Sequence, residues 1–491
     1  MTDNHLNNKP KFEVWQPFLL SIMVVIGMLL GYKMNDKPDR LIEKVKSDEP
    51  IAIGRVEEII RFIESRYVDT VNSEKLISSA INSMILQLDP HSVYIPKSEL
   101  SDINENMDGN FRGIGIESFF LDDTVSILTI VKDSPADKAG LKQLDQIISI
   151  DDTLVAGVKK SFDQIRAMLR KNKALKIEIK RFGSNANLLM VIKSEDIKIH
   201  SADVAYMIND SIGYIQIKQF SSNTYQEFME NLEYLYDKKK MKHLVLDLRG
   251  NPGGYLPQAV KIMNQLIYEK DKLIVLTKGR NQTRQDYNTN GKAFFRFDKL
   301  AVLIDENSAS GSEVIAGAIQ DLDRGIIVGR RSFGKGLVQE QFNLSNGAAF
   351  RMTTARYFTP SGRSIQKEIT SHDTYDQEVQ NRQVNKTELS VKNENSPIFK
   401  TLQLGRKVYG GGGISPEIFV KGDSSLNSSE YYVALGHSNA FLLKAMKSKA
   451  ISFTQNPDYS ILTKEFQSYL KSKEKNIEFK KVSTFLLSEI L

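Results

Sequence analysis

Between Asp210 and Arg356, apolar runs of strand length (Ser211–Phe220, His243–Gly250, Leu300–Glu306, Gly325–Gly329) alternate with runs of helical spacing (Tyr225–Lys239, Tyr255–Tyr268, Gly311–Leu322). A strand that is apolar along its length must be covered on both faces, and the intervening helices are the elements that can cover it. A layered, mixed α/β core with covered sheet faces is expected for this stretch. Three glycine-rich turns fall at the strand ends, at Leu246–Gly254, Asn307–Glu313 and Arg331–Gln339. In an open α/β sheet, strand ends are where a site is built.

Each turn has a structural and a chemical reading. Gly253 and Gly254 let backbone N–H groups turn toward a small anionic centre, such as an oxyanion, although a plain tight turn has the same composition. Neither a G-x-G-x-x-G nor a G-x-x-x-x-G-K-[ST] pattern is present, which weakens a nucleotide reading. Ser310 opens a helix, where free N–H groups stabilise developing negative charge. With Glu313 it also matches a capping box, and caps far outnumber nucleophiles. Ala309 and Gly311 clear space around its hydroxyl. Lys335 stands between Gly334 and Gly336 ahead of an apolar strand; a lysine desolvated there would be neutral near pH 7 and able to take a serine's proton. Gln339, four residues on, falls on the same strand face and can orient the amine.

Other chemistries are narrowed by composition. No cysteine occurs among the 491 residues, which removes thiolate nucleophiles, disulfides and cysteine-ligated metals. The six histidines (His5, His91, His200, His243, His372, His437) include no pair at i,i+4, so an H-E-x-x-H zinc site is absent. No metal and no cofactor are expected. A net charge of +6, with no dominant basic block, gives no nucleic-acid footprint. His243 is the histidine nearest the turns, but it begins a strand whose other end carries the glycine loop. It reads as structural, as does His91, so a Ser–His–Asp site is disfavoured.

Phe18–Tyr32 is uncharged and apolar, and with Val14, Trp15 and Pro17 it reaches spanning length, with Trp15 and Tyr32 as interfacial aromatics. The rival is a cleaved signal peptide, but no small-x-small site follows. An uncleaved anchor over 14–33 is expected, behind a short segment 1–13. A helical pair fills 45–97, broken near Tyr67–Asn72. From about 98 to 193 the pattern changes to short strands with two helices. The region from Lys367 to about Ser396 is polar and reads as a surface excursion, and 426–491 is again helical.

Gly113-Ile114-Gly115-Ile116 before a strand, followed by Ser134-Pro135-Ala136, Ala139-Gly140-Leu141 and Asp145-Gln146-Ile147-Ile148, resembles a PDZ domain. That resemblance implies a carboxylate-binding loop at Gly113–Ile116 and peptide addition to a sheet edge. Two positions depart from it. Leu144 stands where glycine is usual, and Asp151-Asp152 replaces an Asp-Gly turn, which questions the turn geometry.

The PDZ motif, the three turns and Arg356–Gly362 in this order resemble the carboxy-terminal processing peptidases, over roughly Arg55 to Val420. The resemblance implies a crotonase-like layered core over 194–425 with an inserted PDZ domain, and serine endopeptidase activity. Ser310 would be the nucleophile, Lys335 the general base and Gln339 its support, with the N–H groups of Gly311 and Gly253 as the oxyanion hole. Gly311 replaces a commoner alanine but keeps the N–H. Protein or peptide substrates bound by their C-termini and a periplasmic catalytic part held at a bacterial inner membrane are what it further implies; a homodimer and a regulatory partner protein are separate expectations. Two rivals share the fold. A non-catalytic PDZ scaffold has no use for the intact Ser310, Lys335 and Gln339, and an acyl-CoA enzyme does not explain the PDZ module or Lys335.

Overall fold

The computed structural model describes residues 53–171, 173–369, 396–421, 429–447 and 459–474, with Met23, Tyr375 and Glu378 as single positions. Met23 apart, the anchor expected at 14–33 lies outside the described residues, as does most of the polar excursion. Among the described residues no helix is long and apolar enough to cross a membrane. The chain divides into two compact units, Met1–Ser79 and Ala80–Leu491.

In the smaller unit, α1 (Ile53–Arg66) ends where the break was expected, and α2 (Ser73–Ile85) starts after it. The Asn72 side chain caps α2 by accepting the Lys75 N–H at 3.0 Å.

The larger unit begins with the end of α2, then β1 (Val93–Ile95) and α3 (Lys97–Asp108), which stops at Gly109 with φ 72°. A β-rich module follows: β2 (Asn110–Gly113), β3 (Ile116–Leu121), β4 (Thr124–Ile130), α4 (Pro135–Lys138), β5 (Gln146–Ile150), β6 (Thr153–Leu154), α5 (Phe162–Leu169), β7 (Ala174–Lys180), β8 (Leu188–Lys193) and β9 (Glu195–Lys198). Its sheet has the order β3-β4-β5-β7-β8, with β6 paired to β5. β2 and β9 form an antiparallel ribbon where the module joins the rest of the chain. Alternating residues such as Leu175, Ile177 and Ile179 of β7 point into a core closed by Ile165 of α5.

Two expectations are corrected here. The change to short strands was expected from about Ser98, but Ser98 lies inside α3, and the module starts near Asn110. The doubtful turns keep their geometry without glycine: Leu144, Asp151 and Asp152 adopt φ of 67°, 48° and 61°. Aspartate tolerates this region. Leu144 is held in it by burial, with Leu443 of a C-terminal helix and Phe119 packed on it.

The remaining core runs β10 (Val204–Met207), β11 (Ile212–Gln216), α6 (Thr224–Glu233), β12 (His243–Asp247), α7 (Leu256–Leu266), β13 (Lys270–Gly279), β14 (Gln285–Asn290), β15 (Leu300–Ile304), α8 (Gly311–Asp321), β16 (Ile326–Gly329), β17 (Leu337–Asn343), β18 (Ala349–Phe358), the hairpin β19 (Ile398–Lys400) and β20 (Lys407–Tyr409), and β21 (Ile418–Phe419). One sheet has the order β10-β11-β12-β15-β16-β21, parallel from β11 onward. In the other, β18 pairs with β17 along one edge and with β1 and β13 along the opposite edge. Every residue of α8 is buried, because the helix touches β16 of the first sheet and β13 of the second. A helix covered all round needs apolar residues on every side, which Val314, Ile315, Ala316, Ala318 and Ile319 supply, while its buried Glu313, Gln320 and Asp321 are paired with polar partners. The start of the polar excursion is also buried: Lys367 lies with its ammonium 4.1 Å from the Phe333 ring centre and 3.7 Å from that of Tyr375. Two helices, α9 (Ser429–Lys447) and α10 (Tyr459–Lys473), close the described chain around Phe441 and Phe466.

Candidate active site

The three glycine turns meet at the ends of β12 and β15 and at the start of β17. Buried Asp247 closes β12 and accepts the Tyr214 hydroxyl at 2.6 Å and the Arg249 guanidinium at 2.6 and 3.0 Å. Burial and the Asp247 charge push the Tyr214 hydroxyl up to about 12, so it stays a donor. Beyond this anchor, Asn251 ties the first turn to the second: its carbonyl accepts the Ala309 N–H at 3.0 Å and the Ser312 hydroxyl at 3.0 Å. Gly253 follows at φ 101°, where an added Cβ would lie 2.7 Å from the Ser310 Cβ. No other residue fits this approach.

The second turn is laced from within. Asp305 accepts the N–H groups of Gly250, Asn307 and Ser308, and the buried Ser308 hydroxyl donates to the Leu248 carbonyl at 2.7 Å. Ser308 and Ser312 thus hold the turn, while Ser310 is partly exposed at φ 53° and ψ −112°. That backbone is costly for a residue with a Cβ and persists only because its surroundings impose it. Glu313 accepts the Ser310 N–H at 2.9 Å, as a capping box requires, but the Ser310 hydroxyl makes no capping hydrogen bond.

Glu313 also reaches the third turn. Its carboxylate accepts the Ser332 hydroxyl at 2.5 Å and the N–H groups of Gly334 at 2.7 Å and Lys335 at 2.9 Å. Burial pushes this carboxyl up, against the pull of the four hydrogen bonds. Tyr357 of β18 spans the same two turns, its hydroxyl 3.1 Å from the Ser310 carbonyl and 2.5 Å from that of Lys335. The Lys335 amine donates to Gln339 Oε1 at 2.9 Å. Gln339 in turn donates to the His91 carbonyl, and the His91 N–H is fixed on Asp89 at 2.8 Å. Desolvation, with the nearby Arg351 charge second, holds the Lys335 amine below the ordinary lysine value of 10.5; Glu313 and Asp89 oppose the shift.

Ser310, Lys335, Gln339, Gly253 and Gly254 line one cleft of about 600 Å³. Among the described residues no hydrogen bond joins the Ser310 hydroxyl to Lys335. The Gly253 N–H, expected to face an oxyanion, donates to Asn251 Oδ1 at 2.8 Å instead. His243 lies at the far end of β12, where Nδ1 accepts the Lys299 N–H at 3.4 Å. The structure therefore does not bring it to Ser310.

Residues 211–375 match the family described as Peptidase family S41, 113–191 match a PDZ domain, and 28–99 match the N-terminal domain of the activating protease CtpB. A carboxy-terminal-processing protease of Bartonella bacilliformis is 35% identical over 360 residues, 70% of this chain and 80% of its own. The chain belongs to this protease family. The carboxy-terminal processing protease CtpB of Bacillus subtilis is 34% identical over 65% of this chain and 67% of its own. The solved photosystem II D1 C-terminal processing protease is 27% identical, covering 63% of this chain and 89% of its own, with a TM-score of 0.37. The protein is accordingly a serine-type carboxy-terminal processing protease carrying a PDZ domain.

In this family member Gly113–Ile116 joins β2 to β3, with Gly115 at φ 84° and the Ile114 carbonyl accepting the Ala136 N–H at 2.8 Å. It opens on a groove of about 410 Å³ between β3 and α5, floored by Ile116, Val125, Phe162, Ile165 and Leu169. The far wall of the groove is α3. Asp102 of α3 pairs with Arg166 at 3.0 Å and with Arg170, which also holds Glu105. Asn104 and Met107 of the same helix line the protease cleft. Sequence reading missed Glu313 as a tie between turns, Tyr357, Asn251, the carbonyl of His91 and the whole of α3.

Proposed function

We propose that the protein is a membrane-anchored endopeptidase that takes a substrate's C-terminus in the PDZ groove and cleaves through an acyl-enzyme on Ser310. Lys335 is the general base, Gln339 orients its amine, and Gly311 supplies an oxyanion N–H from the first position of α8. Gly254 supplies the second, since the Gly253 N–H is held by Asn251. One observation carries this reading: a desolvated amine, oriented by Gln339, opens on the same cleft as a serine in a strained backbone with its hydroxyl left out of the helix cap. Neutral Lys335 takes the hydroxyl proton as Ser310 attacks the scissile carbonyl, and returns it to the leaving amine; water then hydrolyses the ester by the same route. Placement of the catalytic part in the periplasm belongs to the same proposal.

The test compares the full chain with a fragment starting at Asp36, using an unfolded protein as substrate. Both should cleave it, but only the full chain should sediment with membranes after alkaline washing. Lys335 must be neutral to act, so kcat/KM should rise about tenfold per pH unit below its lowered pKa and level off above it. Chelators should leave turnover unchanged. Loss of activity in a chelator, restored by zinc, would refute the mechanism.

The PDZ domain is further proposed to gate the cleft. Its support is α3, which walls the groove with Asp102 and Glu105 and the cleft with Asn104 and Met107. A tail carboxylate arriving in the groove competes for Arg166 and Arg170, and shifts the population only by its differential affinity. An uncleavable C-terminal peptide added in trans should then speed cleavage of a tail-less substrate several-fold. A passive tether would give no response at saturating peptide.

A further inference from the structure

We propose that Arg351 is a specificity-determining residue: its guanidinium receives a carboxylate of the substrate about two residues from the scissile bond. The inference rests on the catalytic reading of Ser310 and Lys335 and deepens it. Arg351 and Lys335 are the basic residues of the cleft wall, and no carboxylate lines it. Arg351 is half-buried, makes no ion pair among the described residues, and donates to the neutral Gln341 Oε1 at 2.9 Å. Gln341 is further occupied by Asn104, to which it donates at 3.2 Å. A partly desolvated guanidinium with one neutral acceptor leaves several donors unmatched, and a carboxylate is the group its fork geometry fits.

Register gives its place relative to the chemistry. Gln341 is the cross-strand partner of Arg351, and Gln339, which holds the Lys335 amine, is the partner of Thr353. Arg351 is thus two positions along β18 from the level of the base, about 7 Å at 3.3–3.4 Å per residue. An extended substrate advances by the same rise. The carboxylate comes from an Asp or Glu side chain close to the cleaved bond, or from the chain end when only a short piece is removed. The remaining wall is neutral or apolar, with Met107, Leu256, Pro257 and Val338 among its residues, so Arg351 is the group there that distinguishes an acid from its amide.

The experiment uses the whole protein and peptides cut at one bond, with Asp, Asn or Lys placed at each of the three positions on either side, in free-acid and C-terminally amidated forms. Rates are taken on the alkaline plateau, where a change in Lys335 protonation does not enter. Wild type should favour Asp over Asn by about ten- to hundredfold in kcat/KM at one position, the range of a charge-assisted hydrogen bond. Arg351→Gln should bring that ratio to about one while still cleaving the Asn peptide, and Arg351→Lys should keep part of it. A preference confined to free-acid peptides assigns the carboxylate to the chain end. An Asp/Asn ratio near one in wild type together with no free-acid preference, or a ratio unchanged in Arg351→Gln of normal melting temperature, overturns the proposal. Failure of the catalytic reading would show differently, as cleavage that survives Ser310→Ala.

Discussion

Ser310→Ala and Lys335→Ala should each lower turnover of an unfolded protein by about 10⁴-fold or more, with a normal melting temperature, because the proposed nucleophile and base act as one unit. The double variant should be no slower than either single one. Neither side chain supports the fold: among the described residues the Glu313 N–H goes to the Ser310 carbonyl and not to its hydroxyl, and the Lys335 amine bonds Gln339 alone. The flanking serines provide the contrast. Ser308 and Ser312 are fully buried, with hydroxyls spent on the Leu248 and Asn251 carbonyls. Their alanine variants should lose about 1 kcal/mol of stability each and keep most of their turnover once folded. Wild-type turnover in Ser310→Ala, or abolition by Ser308→Ala in a folded protein, would overturn the assignment.

Glu313→Ala should damage both halves of the site at once. One carboxylate holds the N–H groups of Ser310, Gly334 and Lys335 and the Ser332 hydroxyl. Its removal takes the acceptor from the N–H groups of Ser310, Gly334 and Lys335, at a cost of about 1–3 kcal/mol for each one that water does not reach. The serine and lysine turns then lose their common tie, and kcat should fall by about 10²-fold or more, since small misplacements of reacting groups have effects of that size. Glu313→Gln separates the two consequences. It fills the same volume but offers one acceptor oxygen and turns an NH₂ toward N–H donors, so kcat should still fall while KM changes little. Full kcat in a folded Glu313→Gln would show that Glu313 supports the helix and not the catalytic geometry.

Glu313 also shows where sequence reading stops. Its local role, the cap on α8, was legible because the partner lies three residues away. The ties to Ser332, Gly334 and Lys335 span 19 to 22 residues and exist only once β16 has returned the chain beside β15. The carbonyl of His91 was illegible for another reason: a backbone group carries no residue identity, and its partner Gln339 is 248 positions distant. α3 escaped because none of its residues is fully buried, so Lys97–Asp108 lacks the apolar stripe by which helices are recognised. By contrast, β12, β15 and α8 were plain, being apolar enough to declare their period. Ser310, Lys335 and Gln339 were singled out by glycine clearance and spacing, which are properties of neighbouring residues, and their roles were assigned by resemblance to the carboxy-terminal processing peptidases.

On the proposed reading, with the tail in the groove and the cut at Ser310, the position of α3 makes cleavage depend on how firmly a target holds its own end. A helix is about 10–12 Å thick with its side chains, and this one stands between groove and cleft. A tail seated in the groove must therefore run at least three or four further residues as bare, extended chain before a bond meets Ser310. Proteins whose last residues are packed into their own cores can supply that length only by fraying. Their cleavage rate is then set by the free energy of peeling the end away, with each additional 1.4 kcal/mol of docking slowing it about tenfold. Two targets with identical terminal sequences would so differ in lifetime by the strength with which each keeps its tail folded.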